Sequence, residues 1–450
     1  MNQTAAQGAR ALLPRWVVPV VPEGRVLEDH AVVVDGERIA AVVPVAELEA
    51  GHPGIERLEL PDRVLIPGLV NMHAHSAMAL LRGLADDLPL MRWLHENIWP
   101  AEKIIMGPDY VRAGTRLAIA EMLRAGTTCF NDNYFFPDVA AEVAVASGMR
   151  SVMGMPVIGF PTPWAETEDE YFRRGLEFHR QFVDQPLIGT SFVPHAPYSV
   201  GDGAFARIAQ LAGELDIPVH LHLLEAPGEV ESSRAEHGLD PLDRLDALGL
   251  LGPRLLAVHM TQIDAGDIPR LARAGVHVIH CPDSNMKLAS GICPVADLDA
   301  AGVNVCIGTD GAASNNDLSL LAEMRQTALL AKVSSGNPEA VPAARALSMA
   351  TIHGARALGM EDEIGSIAPG KQADLAAIRL DRIETQPVFD VISQIVYAVP
   401  DSQVTDVWVA GRRVVESREL TTLDEAEVLE SCREWQQRIS TAIGDDPGGT

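Results

Sequence analysis

Between Pro67 and about Ala368 the chain repeats one pattern eight times: a short apolar run, then a stretch rich in alanine and leucine at helical spacing. Alternation of that kind marks βα units, and eight of them predict an α/β fold of the (β/α)8 TIM barrel type. The runs, strands 1 to 8 in order, are VLIPGLVNMHAH, TTCFNDNY, RSVMGMPVIG, LIGTSFVPHAP, IPVHLHLLEA, LLAVHMTQI, VHVIHCPDS and NVCIGTDGAA. Helical stretches such as Tyr110 to Ala125 and Gly203 to Leu215 separate them.

The flanks read differently. From Ala11 to Leu65 the text is short and β-like (WVVPVV, HAVVVDGERIAAVVP, RLELPDRVLIP), and β-like text resumes after Gly370 with KQADLAAIRL and VTDVWVAGRRVV. This predicts a small β-sandwich domain built from both chain ends, residues 1–66 and 370–422, around a barrel at 67–369. Residues 423–450 complete the chain, with an amphipathic helix from about Asp424 to Ile443 and a DDPGGT tail expected to be disordered. At 450 residues and 47% hydrophobic content there is enough apolar material for a large core.

Charge excludes whole classes of partner. With 62 acidic against 35 basic residues the formal charge is -27, so a phosphate backbone or an anionic lipid surface is repelled. No apolar run approaches the ~20 residues of a membrane span. The first fifteen residues lack the features of a secretion signal, and the five cysteines contain no Cys-x-x-Cys pair. A reduced, cytoplasmic protein with neither nucleic acid nor membrane as partner is expected.

In a barrel of this kind the active site is built at the C-terminal ends of the strands. His73 and His75 lie two residues apart on strand 1 and so share a face, able to reach one metal ion. Strand 5 adds His220 and His222 and is followed by Glu225; strand 6 ends at His259, strand 8 at Thr309-Asp310-Gly311. Singly, each has a plainer explanation: His259 as a core histidine with satisfied nitrogens, Asp310 as a helix N-cap. Recurrence at the ends of strands 1, 5, 6 and 8 points to a metal centre.

The stretches PGLVNMHAH, HLHLLEA, HCPDSNMKLASGICPV, IGTDGAASNN and GSIAPGKQADL resemble the amidohydrolase superfamily, and together they are similar to its methylthioadenosine/S-adenosylhomocysteine deaminase branch. The resemblance implies that His73, His75, His222 and Asp310 ligate the metal. It implies that Glu225 and His259 handle protons, with Asp310 taking part, and that His220 is structural. Glu102 would accept the ribose hydroxyls of a purine nucleoside and His195 would meet the N3 edge of its base. The implied reaction is hydrolytic deamination at C6 of 5'-methylthioadenosine, adenosine or S-adenosylhomocysteine, in a homo-oligomer.

Two absences refine this. Strand 4 carries no lysine to bridge a second metal, so one Zn2+ per subunit is expected, although iron accepts the same ligands. No basic residue lies between Arg150 and Arg173, where branch members that favour S-adenosylhomocysteine clamp its carboxylate, so the thiomethyl compound is the expected preference. Leu88, Trp93 and Trp99, in the loop after strand 1, are candidates for an apolar lid. Deamination of guanine or a pterin, or dechlorination of a triazine, stays open on the ligand set alone; Glu102 discriminates among the enzymes, since a bare heterocycle has no ribose to hold. Against a barrel without catalysis stands the fact that every ligand position is filled.

Overall fold

The computed structural model describes residues 8–444, so the DDPGGT tail lies outside the described residues. Two sheets organise it. The first is assembled from both ends of the chain: β1 (Arg10–Val17), β2 (Leu27–Glu28), β3 (His30–Asp35), β4 (Arg38–Pro44) and β5 (Glu56–Pro67) from one end, β14 (Leu375–Arg379), β15 (Val404–Val409), β16 (Arg412–Glu416) and β17 (Glu419–Leu420) from the other. Its order is β17-β16-β15-β14-β5-β1-β3-β4, with β2 on β1, so the two halves meet where β14 pairs antiparallel with β5. Alternate side chains enter opposite cores: Leu12, Val32 and Val34 join Leu375 and Trp408 on one face, while Ala11, Leu13, Ala31 and Val33 pack on Leu48 on the other. This is the small sandwich domain.

The second sheet is all parallel and holds the eight barrel strands: β6 (Leu69–Ala74), β7 (Thr127–Asp132), β8 (Arg150–Val157), β9 (Ile188–Pro194), β10 (Val219–Leu223), β11 (Leu255–His259), β12 (His277–His280) and β13 (Asn304–Ile307). Residues along these strands are almost all buried, as a parallel sheet covered by helices requires. The covering helices turn an apolar stripe inward. Helix Glu168–Phe182, capped by the Thr167 side chain, buries Tyr171, Phe172, Gly175, Phe178 and Phe182 at helical spacing.

The barrel closes where β13 returns to β6. Asp310 N donates to His73 O at 2.9 Å, and Thr309 N donates to Asn71 Oδ1 at 3.1 Å. The backbones come so close that a Cβ on Gly308 would lie 2.7 Å from the His73 backbone nitrogen. Only glycine fits that seam.

Barrel and sandwich are joined by a buried ion pair. Arg150, at the start of β8, donates from Nε to Asp374 Oδ2 at 2.7 Å, and Ala410 N donates to the other oxygen. The five cysteines are unpaired, four of them buried, and no helix among the described residues is long and apolar enough to cross a membrane.

Candidate active site

The ends of β6, β10, β11 and β13 converge on one point. His73 Nε2 lies 3.3 Å and His75 Nε2 3.2 Å from Asp310 Oδ1, and His222 Nε2 lies 3.4 Å from His75 Nε2. The ligand atoms of His73, His75 and Asp310, and those of His73, His222 and His259, lie within 4.8 Å of one another. Two of these side chains reach inward because their backbones are left-handed: φ is +76° at His259 and +63° at Asp310. Residues other than glycine seldom adopt that region, and where they do it is often at a functional site. Asp310 does not cap the helix that follows it, whose N-cap is Gly311.

Each imidazole is anchored by its outer nitrogen. His75 Nδ1 donates to Asn133 O at 2.5 Å and His222 Nδ1 donates to His195 O at 2.7 Å, which turns both Nε2 atoms inward and leaves a bare lone pair on that of His222. His73 Nδ1 pairs with His220 Nε2 at 2.8 Å, and His73 Nε2, fully buried, has no hydrogen-bond partner. Lone pairs and a carboxylate aimed at one spot are what a divalent cation needs and what a cation-free core avoids. The donor set of three imidazoles and one carboxylate therefore fits zinc.

Electrostatics say the same. Burial pushes His73 down to about 4 and His222 well below the ordinary histidine range. Burial also opposes a proton on His75, but the hydrogen bond and charge of Asp310 outweigh it and lift that ring to about 9. Burial works against the charge on Asp310 too, yet the two imidazoles hold it well below the usual carboxylate range. Two neutral imidazoles and an ionised carboxylate thus face this point, and on His75 the proton held by Asp310 is the one a cation would replace.

Around it stand the remaining residues singled out in the sequence. His259 donates from Nδ1 to Asn285 Oδ1 at 2.9 Å, and its Nε2 lies 3.8 Å from Glu225 Oε2. Burial raises the Glu225 carboxyl. Both face a cavity of about 320 Å³ that His195 and Glu102 also line. Glu102, on helix Trp99–Ile105, accepts a hydrogen bond from Tyr134 OH; burial lifts its carboxyl to about 7 against that bond. His195 serves twice, its carbonyl holding His222 and its ring, tied to Ser199 Oγ at 2.8 Å, lining the cavity. His220 lies behind His73 rather than in the cavity.

Sequence reasoning missed several contributors. Ser284 donates to Asp310 Oδ2 at 2.6 Å, and with Asn285 it sits on helix Pro282–Lys287, where a Ser-Asn pair after β12 gave no chemical signal of its own. Tyr134 stood in the strand 2 text without a partner to suggest its role. The segment after strand 1 is not a loop but short helices, Leu90–Trp93 and Trp99–Ile105, joined by a π-helical turn at Leu94–Ile98. Trp93 and Trp99 line the cavity, whereas Leu88 packs on the core instead. Lys103 is on the cavity rim, exposed, while its neighbour Glu102 turns inward.

Residues 64–414 match the amidohydrolase family and residues 24–61 the NagA composite domain. The 5-methylthioadenosine/S-adenosylhomocysteine deaminase of Teredinibacter turnerae is 48% identical over 94% of this chain and 96% of its own. That of Saccharophagus degradans is 45% identical over 94% and 95%. A crystal structure of an adenosine deaminase from Xanthomonas campestris, with bound zinc, superposes with a TM-score of 0.94 at 52% identity, covering 96% of this chain and 98% of its own. A mutant atrazine chlorohydrolase from Arthrobacter aurescens shares the fold, with a TM-score of 0.86 at 24% identity over 95% and 99% of the two chains. Matched along nearly its whole length, this chain belongs to the amidohydrolase family.

Proposed function

We propose that the protein is a metal-dependent hydrolase that deaminates 5'-methylthioadenosine at C6, with adenosine and S-adenosylhomocysteine as lesser substrates. It would hold one Zn2+ per subunit through His73, His75, His222 and Asp310. The observation that carries the reading is the meeting, in one cavity, of four converging donor groups with a protonatable carboxyl, Glu225, beside His259. The names of the relatives point to the same substrate class.

When bound, the ion lowers the pKa of a water from ~15.7 to about 7. The residues then divide the proton work. Glu225, whose carboxyl is raised by burial, gives its proton to N1 of the purine and makes C6 electrophilic. His259, its Nδ1–H fixed on Asn285, offers a bare Nε2 to the proton of the attacking water, and Asp310 keeps one oxygen on Ser284 and the other toward the histidines. A C6–O bond forms and the C6–N6 bond breaks; of the two protons of the water one leaves on ammonia and the other restores Glu225, whose own proton stays on N1 of the product. Glu102 accepts from the ribose hydroxyls, and His195 meets the N3 edge of the base. The setting we infer is cytoplasmic and homo-oligomeric, in keeping with five unpaired cysteines and a charge of -27.

The test is ammonia release from a panel of purine nucleosides and bare heterocycles, before and after chelation. Methylthioadenosine should be the best substrate, with activity lost to the chelator and restored by zinc. Release from guanine or a triazine alone would overturn the substrate, and full activity after complete metal removal would overturn the chemistry.

A further inference from the structure

Glu225 is presented by an unusual turn. Leu224, just before it, is left-handed at φ +51°, and every backbone polar group of the pair is held by a named partner. On the N–H side, Leu224 N donates to Glu229 Oε1 and Glu225 N to Glu229 Oε2, both at 2.9 Å. On the carbonyl side, Thr261 Oγ1 donates to Glu225 O at 2.6 Å, and Gln262 N donates to Leu224 O at 3.0 Å. Thr261 lies two residues beyond His259, so the turn bearing one proton-handling group is bonded to the loop bearing the other.

We propose that Glu229 is a positioning residue for Glu225, its carboxylate fixing, with Thr261 as counterpart, the backbone from which the Glu225 carboxyl reaches the purine. Only a carboxylate suits the place. It offers one acceptor to each of two adjacent N–H groups, whereas an amide offers one oxygen and turns an NH2 toward the other. Glu229 opens helix Glu229–His237, so its own backbone is set by that helix and the clamp has a firm base. A carboxyl that must meet N1 within hydrogen-bond reach gains from such a brace, because a displacement of about 1 Å can cost about 100-fold in rate. The inference rests on the reading of Glu225 as proton donor.

A double-mutant cycle tests it, with metal content and thermal unfolding measured alongside kinetics on methylthioadenosine. Glu229→Gln should lower kcat by about 10- to 100-fold and leave KM within about twofold. In a Glu225→Gln background the same change should cost no more than about twofold further, since the group it positions is already lost. An additive loss in the double variant, or a rise in KM that accounts for the loss, would show a general structural role and overturn the proposal. A silent Glu229→Gln beside an inactive Glu225→Gln overturns the positioning alone; a fully active Glu225→Gln overturns the reading of the site as well. If Glu229→Gln does not fold, the cycle is run with Thr261→Val, which removes the hydroxyl donor and keeps the shape: the same non-additivity supports the clamp, and additivity overturns it.

Discussion

At the floor of the cavity the imidazoles of His73, His75, His222 and His259 each have one nitrogen anchored on a protein partner, and Asp310 is tied to Ser284. The wall from Leu90 to Met106 keeps its forked Arg92–Glu96 pair off the cavity and lines it mainly with apolar rings: Trp93 Nε1 has no partner, and Trp99 meets His95 and Phe160 edge-on at 4.5 and 6.1 Å. Directional bonds fix positions to a fraction of an ångström, while dispersive contacts tolerate a change of shape. One region is therefore suited to defining a reaction and the other to choosing among 5' substituents. Glu102 stands between them, carried by the wall but buried and bonded like the floor.

The contrast is broken most severely at the floor. Asp310→Asn should lower kcat by more than about 10³-fold and release zinc, because proton handling and ligation are lost together; kinetics paired with elemental analysis check it, and retention of both would refute the division. The next effect is at the boundary. Glu102→Gln should raise KM for nucleosides by about 10- to 100-fold, the worth of hydrogen bonds to a charged acceptor, with a smaller change in kcat. Because burial raises Glu102 to about 7, its acceptor is charged above that pH and neutral below it. KM of the unaltered enzyme should fall as pH rises through about 7, and the dependence should vanish in Glu102→Gln. The smallest effect belongs to the wall: S-adenosylhomocysteine should show about tenfold lower kcat/KM than methylthioadenosine, and Phe160→Arg should narrow the gap by supplying a charged donor. Equal values in the unaltered enzyme would mean that Lys103 on the rim already does so.

What the sequence disclosed follows the same line. The barrel was legible because eight apolar runs must be buried on both faces, and the converging His and Asp residues because few other side chains ligate a metal. Asn285, Ser284 and Tyr134 were not, since an amide or hydroxyl acquires meaning only from what it touches, and their partners lie 26, 26 and 32 residues away in the chain. The helical wall was not legible for another reason: Gly83, Pro89 and the pair Asp86-Asp87 are turn-forming residues, and the apolar spacing of Leu90, Trp93 and Leu94 spans little more than one helical turn.

The ion pair of Arg150 with Asp374 spans 224 residues of sequence. On a ribosome, where residues emerge at about 5–20 per second, Arg150 waits on the order of 10 to 45 s for its partner. During that interval β5, which later receives β14, leaves one edge of its sheet open to any other strand. The nascent chain therefore carries an unmatched guanidinium and an adhesive border until its last quarter is made, which is when crowding and slow translation would do it most harm.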